Sequence, residues 1–237
     1  MQDSPTRAER RAQDQQQRRS RAWVAIGTAV VVVVVAVVVG VLVFSGGDDA
    51  SDDGGQGASR SVANTNVSLE AGEVTADSAG PPVTVSPEIT ARVIDLIGDY
   101  LEIATVEPLR NQQPAGDLSG IFETAALARA TGADRAVLVD EGLPAVTGDL
   151  DVVAKPVAIT GLGDQSGNLV LVTATVDLDI NGETKDENGQ LHIKRFGSIV
   201  LTPDPAGAWK VSAYRLYVER SGGGLGVATT AAAGTGR

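Results

Sequence analysis

Residues 169–180 read LVLVTATVDLDI, and their alternation decides the fold. Val170, Val172, Ala174, Val176, Leu178 and Ile180 take every second position, with Thr173, Thr175, Asp177 and Asp179 between them. Successive side chains of a strand point to opposite faces, so this period of two predicts a strand with one apolar and one polar face. Residues 152–161 and 191–202 read as strands joined to it through the turn-rich GDQSGN and NGETKDENG. Gly197 interrupts the later strand and marks a bulge or bend. After the turn PDPAG, residues 208–220 supply a fourth strand, with Trp209, Val211 and Ala213 on one face and Tyr214, Leu216 and Val218 on the other. Short loops and alternating polarity argue for an antiparallel meander with one covered face.

Upstream of this block the period becomes helical. Ser86-Pro87-Glu88 supplies a capping hydroxyl, a proline at the first helical position and an acid in the first turn. Ile89, Val93, Leu96, Ile97, Tyr100, Leu101 and Ala104 then recur on one face, and the helix is expected to end near Val106, before Pro108. Asp117 is expected to cap a second helix with Leu118, Ile121, Phe122 and Ala125 on one face, closed at Thr131-Gly132. A third, shorter helix is expected over 134–140, ended by Gly142 and Pro144. Three helices followed by four antiparallel strands make an α+β domain over 86–220, with the helices packed on one face of a curved sheet.

The flanks are read differently. Residues 45–85, rich in Ser, Gly, Asp, Ala and Thr, form a flexible acidic linker, and 221–237 form a disordered tail. Residues 23–44, WVAIGTAVVVVVVAVVVGVLVF, carry no charge and would span about 33 Å as a helix, enough for a hydrocarbon core of about 30 Å. This is the signature of a transmembrane helix. Arginines lie directly before it, in a basic arm at 1–22, and Asp48, Asp49, Asp52 and Asp53 directly after it. The expectation is a single-pass protein of the cell membrane, with the N-terminus in the cytoplasm and the folded domain outside. The apolar run is too long for a cleaved signal peptide.

Charge and composition exclude several classes. The net charge is −11, and the arm is basic, so everything after the apolar run is more acidic still and should repel nucleic acid. The chain has no cysteine, which removes disulfides, thiol chemistry and cysteine zinc sites. Arginine in excess of lysine, with abundant Ala, Val and Gly, points to a GC-rich bacterial genome.

The stretch LSGIFETAALARATGADRAVLVDEGLP and the closing GAWKVSAYRLYVER, behind one N-terminal apolar helix, resemble the cone-shaped nuclear transport factor 2-like domains. Within that superfamily the layout is similar to the actinobacterial Mce-associated membrane proteins and to scaffold subunits of type IV secretion systems. The resemblance implies a four-stranded cone under three helices. It also implies a non-enzymatic accessory or scaffold role in a transport or secretion assembly.

Few residues suit catalysis. His192 is the single histidine and falls at a strand start, so neither a nucleophilic triad nor a zinc site is expected. Asp177 and Asp179 share one strand face about 7 Å apart, on the polar side. Isomerases of the resembled fold use an acid and a tyrosine inside the cone, roles for which Tyr100, Tyr214 and Asp99 are candidates that no spacing selects. Gly161-x-Gly163 joins strand to strand with no helix to receive a phosphate. The expectation is therefore a non-enzymatic envelope protein that binds protein partners, with no catalytic, cofactor-binding or metal residues and no cofactor. The alternatives are a carrier of a small apolar ligand or lipid in the cone interior, and, behind it, an isomerase- or dehydratase-type enzyme.

Overall fold

The computed structural model describes residues 58–185, 189–222 and 225–235. Its elements in chain order are β1 (Ser59–Ser61), β2 (Ser68–Ser78), α1 (Pro87–Leu101), a π-helical segment (Glu102–Val106), α2 (Glu107–Asn111), α3 (Thr124–Ala130) and α4 (Arg135–Leu138). Six strands follow: β3 (Val146–Ala154), β4 (Val157–Gly163), β5 (Leu169–Thr184), β6 (Gln190–Pro203), β7 (Trp209–Gly222) and β8 (Leu225–Thr235).

The eight strands form one sheet in the order β1-β2-β4-β5-β6-β7-β8, with β3 also pairing β5. This corrects the expected fold class: the sheet is eight-stranded and mixed, and it is not the four-stranded antiparallel cone of nuclear transport factor 2-like domains. β2 and β4 run parallel, from Ala71↔Val157 to Ser78↔Gly163, while the other pairs are antiparallel. A parallel pair needs a long crossover, and all four helices lie within the one that connects β2 to the β3–β4 edge.

Three of the strands missing from the sequence reading, β1, β2 and β8, come from the stretches read as linker and tail, and the fourth arises because 152–161, read as one strand, is split between β3 and β4. β2 buries only Leu69 fully, and β8 is built of Ala, Thr and Gly with one Leu and one Val. Such residues carry little apolar signal. Their strand state comes from pairing with β4 and β7, which local composition does not report.

Within the meander the sequence reading is closer. Val172, Ala174, Val176, Leu178 and Ile180 of β5 are buried on the helix side as expected, although Val170 is exposed. β5 is long enough to pair β4 from Gly163↔Leu169 to Ala158↔Thr175 and β3 from Ala154↔Leu178 to Val146↔Thr184. The two short strands are separated at Lys155-Pro156, where proline has no N–H for the ladder.

β7 departs from strict alternation. Val200 pairs Ala213 but Leu201 pairs Val211, so Ser212 is an extra residue. The bulge reverses the parity, and Val211, Tyr214, Leu216 and Val218 all face the core, correcting the assignment of Val211 and Tyr214 to opposite faces. Gly197 is not a bulge: it stays in register between Val176 and Leu216. Its φ of +142° and the Arg215 carbonyl oxygen beside it leave no room for a Cβ.

The helices sharpen in a similar way. The Ser86 hydroxyl accepts from the Ile89 N–H at 3.4 Å and caps α1, whose Val93, Ile94, Leu96, Ile97, Tyr100 and Leu101 are buried. The chain does not leave the helix before Pro108. The π-helical turn resets the hydrogen-bond pattern and Pro108 falls in the first turn of α2, where its missing N–H costs nothing. Asp117 caps a turn and not a helix: its carboxylate accepts from the Ser119 N–H at 2.8 Å and hydroxyl at 2.6 Å, and α3 begins only at Thr124.

Among the described residues no helix is long and apolar enough to cross a membrane. The transmembrane helix expected at 23–44 and the basic arm lie outside the described residues.

Candidate functional site

The first polar cluster to test for chemistry is buried. Along β6 the inward positions run Leu191, Ile193, Arg195, Gly197, Ile199 and Leu201, and Arg195 is as buried as its apolar neighbours. Its Nη2 donates to Asp140 Oδ2 at 2.9 Å, and its Nη1 donates to the Thr105 hydroxyl at 2.9 Å. Thr105 donates in turn to Asp140 Oδ2 at 2.7 Å. Arg220, at an inward position of β7, donates from Nε to Asp140 Oδ1 at 2.8 Å and from Nη2 to the Val137 carbonyl at 2.8 Å. The Arg195 guanidinium lies 5.1 Å from the Tyr100 ring centre.

One carboxylate thus holds a fully buried guanidinium, that of Arg195, and a largely buried one, that of Arg220, and among the described residues Arg195 Nε has no partner. The network ties together the π-helical turn (Thr105), the loop after α4 (Asp140), β6 and β7. It is enclosed and internally committed, which suits a clamp and not a reacting site. The signal for it was present in the sequence: Arg195 stands in register with Ile193 and Ile199, at a position the strand period assigns to the core. Asp140, in a loop, gave no comparable signal.

The tyrosine candidates line a row with Phe122 between them. Tyr100 and Phe122 meet edge-on at 6.1 Å, and Phe122 and Tyr214 at 5.7 Å. The hydroxyls are already committed. Tyr100 donates to the Leu138 carbonyl at 2.7 Å, and Tyr214 donates to Asp134 Oδ2 at 2.9 Å, beside the Arg129–Asp134 ion pair. The Asp99 side chain joins neither hydroxyl: it pairs with Arg60 at 2.8 Å on the solvent side of α1. The cavity beside the aromatic row, against Val93, Leu96, Leu201 and Leu216, measures about 10 Å³. That is at the lower limit for a single water, and an apolar lining keeps it dry.

Burial pushes both Tyr100 and Tyr214 above the ordinary tyrosine range, and Asp134 adds to the effect at Tyr214. A raised folded pKa means that this contribution is complete below the unfolded value of about 10 and is lost as pH rises toward the folded values. Alkaline unfolding is therefore expected to begin above about pH 10, and Tyr100→Phe is expected to move that limb to higher pH in a pH-jump denaturation series. An unchanged alkaline limb in the variant would remove this cause.

The remaining candidates lie on the other side of the sheet. Asp177 pairs with Lys155 Nζ at 2.6 Å, and Asp179 Oδ1 lies 2.6 Å from His192 Nε2, with both groups half-exposed. The two carboxylates are engaged separately and do not converge on a common point. Among the described residues no group of three His, Cys, Asp or Glu side chains is placed to hold a metal. Gly161 and Gly163 serve packing, since a Cβ on either would meet Val85 or Val83 on the approach to α1.

This second face is the larger feature. Its positions along β5, β6 and β7, among them Thr173, Thr175, Ser198, Val200 and Ala213, are all partly or fully exposed, whereas the opposite face is buried under the helices. At its centre Phe196 of β6 stacks on Tyr217 of β7, ring centres 5.3 Å apart and planes 16° from parallel. Arg215 lies 5.5 Å over the Tyr217 ring and donates to its hydroxyl at 2.9 Å; Lys194 lies 5.9 Å from the Phe196 ring. Asp177 and Glu219 complete a surface with a stacked aromatic centre and a mixed-charge rim.

Comparison of the chain with known protein families, curated proteins and solved structures finds no match. Together with the eight-stranded sheet, this overturns the resemblance to nuclear transport factor 2-like domains. No homologue supports the link to Mce-associated proteins, to type IV secretion scaffolds or to an actinobacterial source.

Proposed function

We propose that this chain is a non-enzymatic binding protein, tethered to the membrane through residues 23–44, whose outer domain docks a protein partner on the open face of the sheet. The observation that carries this reading is the Phe196–Tyr217 stack with its Arg215 and Lys194 cations, half-buried on the sheet face opposite the helices. Aromatic side chains and arginine dominate binding energy at protein interfaces because they bury large areas with little loss of conformational freedom. The tether rests on the uncharged apolar run and the arginines behind it. A transport or secretion assembly was implied by the resemblance alone and forms no part of the proposal. A carrier of an apolar ligand would need an interior space, and the cavity beside the aromatic row has about 10 Å³.

The test is site-specific photo-crosslinking of the full chain in living cells. A photoreactive residue at Tyr217 is expected to give a discrete adduct with a partner outside the cytoplasm. The same residue at Ala91, exposed on α1, is expected to give none. Phe196→Ala should lower the Tyr217 yield about tenfold or more, the effect of losing an interface anchor. Equal adducts from both positions would refute the docking face, and a cytoplasmic partner would refute the orientation.

A further inference from the structure

We infer that β8 is a self-association edge, on which a second copy of this chain adds its own β8 in antiparallel register to continue the sheet.

β8 is the last strand of the sheet order. β7 occupies one side of it, from Gly222↔Leu225 to Ala213↔Thr235, and among the described residues nothing pairs with the other side. Eleven residues at about 3.4 Å each make an edge of about 37 Å, with every second backbone amide and carbonyl turned outward. The strand belongs to the core and does not merely lie against it. Ala232 is buried, and a Cβ on Gly234 would stand 2.5 Å from the Tyr214 ring, so β8 is held in one register.

Proteins guard exposed edges with short strands, charges, prolines and bulges. The other edges of this sheet show these devices. β1 has three residues. β2 carries Glu70, Glu73 and Asp77 and shifts register between Ala71 and Val74. β3 carries Asp149 and Asp151 and shifts register between Thr147 and Asp151. β8 has no charged residue and no proline, and its one register shift lies at its start, between Leu225 and Ala228, which leaves Ala228–Thr235 in unbroken register. Among the described residues β8 is the long edge left open while the others are blocked, which marks a surface suited to pairing.

Charge selects the occupant. The chain carries −11, so most surfaces of two copies repel each other. The segment LGVATTAAAGT is a neutral strip where two copies approach without that cost. Antiparallel pairing of two identical strands is isologous and closes after two copies, so it does not propagate into a filament. Its two-fold axis falls near the middle residue, Thr230. The pairing is independent of the partner proposed for the open face, because it uses backbone groups along the edge.

The absence of cysteine makes the test clean. Thr230→Cys would place two thiols across the two-fold axis, where directly opposed Cβ atoms in a strand pair fall close to the roughly 3.5–4.5 Å that a disulfide requires. In the purified full chain under mild oxidation, Thr230→Cys is expected to give a covalent dimer at least about tenfold faster than Ser198→Cys on the open face, because pairing raises the local thiol concentration. Adding Ala231→Lys and Ala233→Lys, both exposed on β8, should abolish that advantage and shift the native mass by light scattering to the monomer. Equal rates for the two cysteines, a monomeric native mass of the parent chain, or crosslinking unaffected by the lysines would each overturn the inference.

Discussion

Asp140→Ala is expected to cost about 3–5 kcal/mol of folding stability, the range for removing one partner of a buried ion pair. Among the described residues Asp140 is the single counter-charge of Arg195 and Arg220, and its side chain is fully enclosed. Without it the buried Arg195 guanidinium and the largely buried one of Arg220 lose their shared counter-charge, and Thr105 loses the acceptor of its hydroxyl proton. Guanidinium does not lose its proton to relieve the strain. Arg195→Met is expected to cost less, because Asp140 keeps Arg220 and the unpartnered Arg195 Nε disappears with the charge. Urea denaturation of the three proteins checks the order: parent above Arg195→Met, and Arg195→Met above Asp140→Ala. If Asp140→Ala lies within 1 kcal/mol of the parent, water reaches the cluster and the clamp is not closed.

Phe122→Ala is expected to cost about 3–5 kcal/mol as well, but through packing. Phe122 is buried between Tyr100 and Tyr214, and its backbone bridges Val211 of β7. Its ring borders the cavity of about 10 Å³, so truncation enlarges an apolar space that already fails to close. The neighbours that would collapse inward are fixed by the Tyr100 and Tyr214 hydroxyl bonds. A dry cavity of that kind takes up small aromatic molecules, so benzene should partly restore the thermal midpoint of Phe122→Ala and leave the parent unchanged. Phe196→Ala, half-exposed on the open face, is expected to cost about 1 kcal/mol or less in the same assay. Similar losses at the two positions would mean that the open face is not open.

The two phenylalanines also show what was legible. Phe122 was assigned to an apolar helical face; it is buried, but from a turn, because Asp117 closes a tight loop with Ser119 before any helix can start. Phe196 was one residue in an alternating strand. Its stacking partner Tyr217 lies 21 positions away in the chain, and only the β6–β7 register brings them together. Arg195 carried a signal that went unread, a charge in step with Ile193 and Ile199, and nothing in the sequence shows that Asp140, 55 residues earlier, neutralises it.

The sequence by itself determined the elements whose stability is local or whose pattern is strong. α1 was legible from its cap and apolar face, β5 from long alternation between a buried and an open side, and β6 and β7 as strands between turn signals, though the faces of β7 were misassigned. The apolar run at 23–44 and the acidic balance are likewise properties of the chain alone. The tertiary structure decided how many strands the sheet has, that β2 joins it in parallel, that a bulge at Ser212 turns Val211 inward, and that β8 is a strand and an edge. The physical reason is the same in each case. A strand of small or polar residues gains little from its own burial, and it is held by hydrogen bonds to a neighbour that local periodicity does not name.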